Sequence, residues 1–432
     1  METAIVVFTR DLRLRDNPAL SGACAVARQV VPVFVVDPAI SGPPNRLRFL
    51  AESLADLRQG LRERGGDLVI RHGEPAAEVI RLAGETGAGA VFIAGDVSRY
   101  AARRRRELDR ACAEHRLGLS VTPGLTVVPP GALRPAGSSH YRVFTPYWRA
   151  WDAAGWRPVV PAPKVITMPP VRDAGPIPAV RAGCSPGLAP GGEQAGLRRL
   201  ASWQETRLAR YADRHDDLAG DQTSRLGAYL RFGCLSPLEV ALGARDRPGG
   251  AAFTRQLAWR DFFYQAADGF SELARHDYRP AIQAWRQDED ALEAWRAGRT
   301  GIPIVDAGMR QLAAEGFMHN RARMITASFL TRTLGIDWRH GYRHFSRLLA
   351  DGDVANNAGN WQWVAGTGHN TRPNRVMNPL RQAHRFDPSG AYVRRYVPEL
   401  AGLDPAQIRA PWALDAGHRR RLGYPDPLVE LT

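Results

Sequence analysis

The sequence predicts an α/β domain with a doubly wound parallel sheet, followed by a long linker and an all-α domain. Three observations predict this architecture. Short apolar runs alternate with helical patterns over residues 1–128, proline and glycine dominate residues 129–196, and helical patterns continue through residues 197–432. A chain of 432 residues is long enough for two or three domains.

The first 128 residues contain five short apolar runs of the kind that form buried parallel strands. Leucines spaced three and four residues apart from Leu47 to Leu61 predict a helix after the second run. Another helix is predicted from about Arg99 to His115, and its four arginines at 103–106 are more typical of a solvated face than of a binding site. The predicted strands are 4–8, 30–36, 68–71, 90–94 and 119–122.

Residues 129–196 are predicted to connect the two domains over the surface, because prolines and glycines recur in them. The segment Gly183-Cys-Ser185-Pro-Gly187 formally matches the nucleophile elbow of serine hydrolases. That motif requires a strand before the serine and a helix after it. A proline follows Ser185 directly and the flanks are loop-like, so we interpret the match as chance.

The helical region carries a concentrated set of polar and aromatic residues. Its clearest helical pattern covers residues 303–334, which begin with a proline. The stretch 351–363 contains two aspartates, three asparagines, one glutamine and two tryptophans, with almost no aliphatic bulk. Such groups are suited to binding a polar aromatic ligand. The alternative for this stretch is a polar loop that caps two helices.

The charge of the chain favours a polyanionic partner. A net charge of +14 and a pI near 10.3 favour nucleic acid or an anionic membrane surface, the alternative being a surplus that serves solubility. No apolar run is long enough to span a bilayer, and the N-terminus lacks the pattern of a signal peptide. Four dispersed cysteines without a CxxC pair fit a reduced, cytoplasmic protein with no structural zinc.

The sequence lacks the motifs that several common kinds of catalytic or metal site require. The only lysine, Lys164, is not part of a phosphate-binding Gly-Lys-Ser/Thr motif, and no HExxH zinc motif occurs. The spacing from Asp351 to Ala355 fails the calcium-loop pattern, because alanine occupies the third ligand position. A basic helical domain with a polar aromatic segment therefore suggests cofactor chemistry on nucleic acid, and no metal site.

A series of motifs, in order and with similar spacing, resembles the DNA photolyase/cryptochrome family, and most of all its bacterial cyclobutane-pyrimidine-dimer photolyases. The resemblance covers nearly the whole chain except much of the segment 129–196. The motifs are Val7-Phe-Thr-Arg10-Asp11-Leu-Arg-Leu-Arg-Asp16-Asn17, Thr223-Ser-Arg-Leu226, Leu235-Ser-Pro237, Trp259-Arg-Asp-Phe262, Gly301-Ile-Pro-Ile-Val-Asp306-Ala-Gly-Met-Arg310, Met318-His-Asn320-Arg-Ala-Arg323-Met324 and the stretch 351–363.

The resemblance implies a U-shaped FAD in the helical domain, active in its fully reduced form. Arg323 and Asp351 match the family's ion pair beside the isoalloxazine, and Asn357 matches the position that faces flavin N5. A neutral amide there can accept a hydrogen bond from a protonated N5, whereas a carboxylate would disfavour an anionic flavin. The residues implied to bind the cofactor are Tyr211, Thr223, Ser224, Arg225, Leu226, Arg260, Arg323, Asp351, Asp353 and Asn357.

The resemblance also implies an electron-transfer chain of Trp361, Trp338 and Trp285, from the flavin towards the surface. On spacing alone, these would be core tryptophans. The implied reaction is light-driven: excited reduced FAD donates an electron to a cyclobutane dimer, the ring splits and the electron returns. The lesion must leave the DNA helix to reach the flavin, as the target base does in base-flipping enzymes.

UV-damaged DNA is the implied partner. Asn320 and Met324 match the cyclobutane-dimer enzymes, since six-four photolyases and animal cryptochromes carry histidine at both positions. Gln256 departs from the pattern, because cyclobutane-dimer photolyases usually carry glutamate there and six-four photolyases do not. The residues implied to contact the lesion or the DNA backbone are Gln256, Trp259, Asn320, Met324, Trp363, Arg375, Gln382 and Arg385.

Two alternatives to the repair of cyclobutane dimers remain open, and so does the identity of a second chromophore. The chain matches repair of six-four photoproducts at Gln256, and the same fold serves cryptochrome-type blue-light sensors. Family members often bind a second, light-harvesting chromophore. Lys164 does not occupy the position of the lysine that some members use for folate, so a deazaflavin or no antenna is equally open. We expect a monomer.

Overall fold

A computed structural model describes residues 1–40, 42–180, 182–281 and 284–431. Its Cα packing divides the chain into two compact units. The first unit comprises Met1–Gly183, Ala189–Leu208 and Ser224–Glu272, and the second comprises Cys184–Leu188, Ala209–Thr223 and Leu273–Thr432. The predicted domain limits at residues 128 and 196 remain a prediction, but helices beyond residue 196 belong to the first unit.

The first unit contains a parallel sheet of five strands in the order β3-β2-β1-β4-β5. The predicted doubly wound fold is therefore confirmed, and each predicted strand agrees with the structure to within two residues. All six residues of β1 are buried, as expected for the central strand of a covered sheet. The strands are β1 Thr3–Phe8, β2 Gln29–Val36, β3 Val69–His72, β4 Ala88–Ala94 and β5 Gly118–Thr122.

Helices form most of the remaining chain, and they are numbered here in chain order. They are α1 Pro18–Val26, α2 Pro44–Arg62, α3 Pro75–Thr86, α4 Arg99–Glu114, α5 Phe144–Ala153, α6 Glu193–Thr206, α7 Tyr211–Arg214, α8 Gly227–Phe232, α9 Pro237–Arg245, α10 Gly250–Gly269, α11 Glu289–Arg296, α12 Pro303–Glu315, α13 Asn320–Ser328, α14 Trp338–Leu348, α15 Val354–Ala365, α16 Pro379–Phe386, α17 Ala391–Tyr396, α18 Pro405–Arg409 and α19 Ala416–Leu422. Among the residues described, no helix is long and apolar enough to cross a membrane.

Two helical segments differ from the sequence pattern. The predicted linker contains α5, whose Tyr147 and Trp151 are 2% and 0% exposed. The pattern over residues 303–334 forms α12 and α13 with a break between them. Gly316 ends α12 in a left-handed conformation, with φ at 61°, and His319 caps α13 by accepting a hydrogen bond from the Arg321 amide.

A buried arginine in the N-terminal motif organises the first unit. Arg13 is fully buried, and its guanidinium donates to the carbonyls of Asp16, Gly124 and Gly233 at 2.8–3.1 Å. Gly233 has φ at 68°, and a Cβ there would lie 1.9 Å from the Arg10 carbonyl oxygen. The motif therefore joins the start of the chain to the segment after β5 and to the turn that follows α8.

Asp261 on α10 makes a second connection within the first unit. Its Oδ2 accepts hydrogen bonds from the amides of Val127 and Val128 at 2.8 and 3.2 Å, and from the Trp151 indole at 3.0 Å. Burial raises the pKa of Asp261 to about 6, although these bonds and Arg260 favour the carboxylate. The protonated form is thus favoured in the folded state relative to the unfolded chain.

This raised pKa predicts a specific pH dependence of stability. A group whose pKa rises from 3.8 to about 6 on folding contributes stability that is present below pH 3.8 and lost as pH rises through 6. Relative to Asp261→Asn, which does not titrate, the wild-type unfolding free energy should fall by roughly 2–3 kcal/mol between pH 4 and pH 7. Urea denaturation of both proteins at each pH measures this, and a pH-independent difference contradicts it.

Candidate cofactor site

One face of α15 carries three of the predicted site residues, because they recur every four positions. Asp353 caps the helix by accepting a hydrogen bond from the Asn356 amide at 2.8 Å, and Asn357 and Trp361 follow at one-turn intervals. Trp363 lies two residues beyond Trp361 and therefore on a different side of the helix. The alternative of a capping loop is wrong, since residues 354–365 are helical.

The side chain of Asn357 is oriented by α14. Its Nδ2 donates to the Tyr342 carbonyl at 3.2 Å and to the Ser346 hydroxyl at 2.9 Å. Both amide protons are then used, and none of the residues described here donates to the Asn357 Oδ1. The oxygen is thus left as the acceptor that this side chain offers to a ligand.

Trp361 is buried between α14 and a second tryptophan. The indole is 2% exposed and packs edge-to-face on Phe345 and Trp295, with ring centroids 4.9 and 6.0 Å away. Gly341 makes this position possible, since a Cβ there would lie 2.1 Å from Cη2 of the Trp361 ring. The α14 surface at Gly341 is therefore shaped to the indole.

Arg323 and Asp351 form the predicted ion pair. The guanidinium donates two hydrogen bonds to the carboxylate, at 2.8 and 3.1 Å, and its Nε donates to the Met318 carbonyl at 2.8 Å. Both side chains are partly exposed, at 25% and 14%. A bidentate pair of this kind holds both side chains in one geometry and leaves an accessible edge for a ligand.

The loop that precedes α8 has the features of a binding loop. Asp221 and Arg225 both have positive φ, at 45° and 53°, a conformation that costs about 1 kcal/mol or more for non-glycine residues. The Thr223 hydroxyl oxygen is buried and lacks a hydrogen-bond partner within the described part of the chain. A buried hydroxyl without a partner is costly unless a ligand supplies one.

The other predicted cofactor residues lie in ordered surroundings. Ser224 accepts a hydrogen bond on its carbonyl from Arg199 at 2.7 Å, and Leu226 is buried at the start of α8. Burial raises the pKa of Tyr211, which is 7% exposed. Arg260 donates to the carbonyls of Leu125 and Leu230 at 2.6 and 3.3 Å, so its guanidinium also stabilises the first unit.

The remaining tryptophans of the predicted chain lie near α14. Trp338 is fully buried and precedes Gly341 by three residues, so both lie on the helix face that meets Trp361. Trp285 is half-buried and packs against the same core. A parallel bridge between Arg286 and Ile336 places Trp285 beside the segment that leads into Trp338.

Two predicted lesion contacts share a surface of α13. Asn320 is exposed and Met324 is half-buried one turn later, with the amide nitrogen 3.9 Å from the sulfur. Trp363 on α15 is half-buried and packs against the core of the same unit. Two side chains of this set are thus adjacent, and all three retain accessible surface.

The predicted lesion contacts on α10 belong to the first unit. Gln256 is exposed, and Trp259 follows it by three residues. One face of the Trp259 indole is covered by Phe144 of α5, whose ring stacks at 3.7 Å with an angle of 9° between the planes. The stacked Phe144 ring therefore fixes the plane of the Trp259 indole.

The predicted DNA-backbone contacts lie on α16 and in the segment before it. Arg375 and Arg385 are exposed, as are Arg372 and Arg381 nearby. Gln382 is half-buried, and its Oε1 has no hydrogen-bond partner within the described ranges. Exposed guanidinium groups on one short segment form an electrostatic surface suited to phosphates.

Comparison with known proteins identifies the family. A family model described as DNA photolyase matches residues 4–165, and a model for the FAD binding domain of DNA photolyase matches residues 253–432. The deoxyribodipyrimidine photo-lyase of Streptomyces griseus is 52% identical over 100% of this chain and 97% of its own length. The chain belongs to the DNA photolyase family.

Two further matches agree with this family. A cryptochrome DASH from Gloeobacter violaceus is 36% identical, over 100% of this chain and 93% of its own. The crystal structure of a bacterial class III photolyase from Agrobacterium tumefaciens matches with a TM-score of 0.93 and 33% identity, over 100% of this chain and 95% of that one.

The residues present in the photolyase fit its cofactor, FAD. The buried Thr223 hydroxyl lacks a partner, and Asn357 offers an oriented carbonyl oxygen, within the residues that the structure describes. Arg323 and Asp351 add a charged pair with an exposed edge. These are the donors and acceptors that a ribityl-phosphate chain and a flavin ring require.

Two residues of the photolyase escaped the sequence analysis. Asp277 accepts a hydrogen bond from the Trp338 indole at 2.7 Å. Gln362 is fully buried and donates to the carbonyls of Leu273 and His276 at 2.6 and 2.9 Å. Their hydrogen-bond partners lie about 60 to 90 residues away in sequence, so no local pattern links the two ends of each bond. Only Gln362 was locally unusual, because it is a polar residue between Trp361 and Trp363.

The fit of Trp361 against α14 predicts the effect of filling Gly341. In Gly341→Ala the new methyl group overlaps the indole, so the unfolding free energy should fall by about 1–3 kcal/mol and Trp361 fluorescence should shift. Gly402→Ala in the same unit is the matched control, because no atom within 4 Å meets its Cβ. Chemical denaturation measures both, and equal stability of the two variants contradicts the packing described.

Proposed function

We propose that this photolyase splits cyclobutane pyrimidine dimers in DNA in a light-dependent reaction with reduced FAD. The observation that carries the proposal is the face of α15 that presents Asn357 and Trp361. It places an oriented acceptor and a buried, oxidisable indole one helical turn apart. The 52% identity with the deoxyribodipyrimidine photo-lyase of Streptomyces griseus over the whole chain supports the same activity.

Bound FAD supplies the light-excited electron that opens the cyclobutane ring. Around it, Thr223 donates or accepts through its buried hydroxyl, and Arg323 and Asp351 hold a fixed pair of charges. Asn357 presents its carbonyl oxygen, because α14 takes both of its amide protons. An uncharged acceptor stabilises a protonated ring nitrogen without repelling an anionic flavin.

Trp361, Trp338 and Trp285 form the route by which electrons return the cofactor to its reduced state. Trp361 and Trp338 are 2% and 0% exposed, so their oxidised forms are shielded from water. Trp285 is half-buried and can exchange electrons with an external reductant. The order runs from buried to exposed, as a chain that carries charge to the surface requires.

Trp363, Asn320 and Met324 contact the lesion in the second unit. Gln256 and Trp259 of α10 stay predictions that rest on the family resemblance alone. Indole rings stack on extruded bases in a way that tolerates either base. Asn320 and Met324 replace the two histidines that six-four photolyases carry, which favours the cyclobutane dimer. The neutral Gln256 retains a donor and an acceptor but carries no charge.

DNA binding depends on charge. Arg375 and Arg385 contact phosphates, and the net charge of +14 raises the affinity for any DNA. We also infer that the protein acts as a cytoplasmic monomer, consistent with four cysteines that form no disulfide within the described residues. Any antenna chromophore would bind the α/β part of the first unit, and its identity is a separate question.

A light-dependent repair assay tests the proposed function. Reduced holoenzyme should restore DNA that contains cyclobutane dimers under blue light and leave it unchanged in the dark. The same assay on six-four photoproducts should give no repair, because Asn320 and Met324 replace the paired histidines. Repair of the six-four product alone would contradict the substrate, and repair of neither lesion would favour a cryptochrome-type light sensor.

A further inference from the structure

The indole of Trp338 is hydrogen-bonded to a carboxylate. Its Nε1 donates to Asp277 Oδ1 at 2.7 Å, within the range of a charge-assisted bond. The indole is fully buried, whereas the Asp277 side chain is 22% exposed. The carboxylate therefore contacts a buried tryptophan on one side and has access to water on the other.

The loop that carries Asp277 is held on two sides. Gln362 of α15 donates to the carbonyls of Leu273 and His276, and its Oε1 accepts from the Tyr278 amide at 2.8 Å. Arg339 of α14 donates to Asp277 Oδ1 at 2.8 Å and to the Arg275 carbonyl at 2.7 Å. Asp277 is thus positioned before any charge moves, which removes a reorganisation cost from the step.

We propose that Asp277 is the proton acceptor of the tryptophan chain, an inference that rests on the role proposed above for Trp338. Trp338 gives one electron to oxidised Trp361 and becomes a radical cation, whose indole N–H is strongly acidic. The N–H bond then breaks, the proton moves to Asp277 Oδ1, and a neutral indole radical faces a neutral carboxylic acid. When Trp285 donates an electron to Trp338, the proton returns from Asp277, so both groups regain their starting states.

A hydrogen bond to Trp338 alone would not require a carboxylate. Trp295 is equally buried in the same unit, and its indole donates to the Thr326 carbonyl at 3.0 Å, a group that cannot accept a proton at neutral pH. Asp277 instead combines a base with partial exposure. The negative charge also stabilises the oxidised indole before the proton moves, which favours electron transfer from Trp338 to Trp361.

Asp277→Asn and Asp337→Asn form a matched pair for the test. Asp337 also binds Arg339, at 3.0 Å, and directly precedes Trp338, so its replacement removes the same charge without touching the indole. Asparagine at 277 can still accept the hydrogen bond but cannot take the proton. The indole N–H resonance of Trp338 in NMR spectra, assigned with Trp338→Phe, reports whether the bond persists, whatever the repair activity.

Flash excitation of holoenzyme with oxidised FAD, followed by transient absorption in H2O and D2O, gives the decisive result. Wild type and Asp337→Asn should both show an early phase in which the deprotonated indole radical of Trp338 forms. This phase should be slower in D2O than in H2O. Asp277→Asn should lack this phase and lose the long-lived charge separation several-fold. The proposal is overturned if Asp277→Asn keeps the wild-type phase and isotope effect.

A separate control distinguishes failure of this inference from failure of the proposed function. Trp361→Phe should abolish photoreduction of oxidised FAD in either background. If Trp361→Phe photoreduces FAD as wild type does, the tryptophan chain itself is wrong. If only Asp277→Asn behaves as wild type, the chain stands and Asp277 has no part in it.

Discussion

The contact between α14 and α15 is the constraint on which the site depends. Asn357 donates its amide protons to the Tyr342 carbonyl and the Ser346 hydroxyl, and Trp361 packs against Gly341. Each contact sets the rotation of α15 about its own axis. Since Asp353, Asn357 and Trp361 share one face, a small rotation of the helix would misplace the cap, the acceptor and the indole together. The contact with α14 thus determines which side chains α15 presents at the proposed cofactor site.

Different faces of α15 carry side chains with different proposed roles. One face carries the acceptor and the buried indole, and Trp363 lies on another. Gln362, between the tryptophans, donates its hydrogen bonds to the loop that carries Asp277. Under the proposed function, a single helix therefore connects cofactor binding, electron transfer and the position of a carboxylate, because the side chains at 361, 362 and 363 point in different directions. In the first unit, Arg13 has a comparable structural role, since its buried guanidinium joins three distant carbonyls.

Features that depend on neighbouring residues could be predicted from the sequence, whereas contacts between residues far apart in the sequence could not. Strands 4–8 and 90–94 were predictable because a buried parallel strand is a continuous apolar run. The polar residues of 351–363 indicated a ligand site, and the resemblance to a known family implied the roles that we propose for them. The helix α5 was missed because the surrounding prolines and glycines dominate the local pattern, although its Trp151 is held by Asp261. Asp277 was missed because its partner Trp338 is 61 residues away and no periodicity links them.

The central claim is that FAD binds where Thr223 and Asn357 leave polar atoms to be satisfied. The most direct test is a crystal structure of the protein with FAD bound. The account predicts that FAD supplies hydrogen-bond partners to both Thr223 Oγ1 and Asn357 Oδ1, at about 2.6–3.2 Å. It is contradicted if FAD binds elsewhere, or if the Asn357 amide turns to present its nitrogen to the flavin.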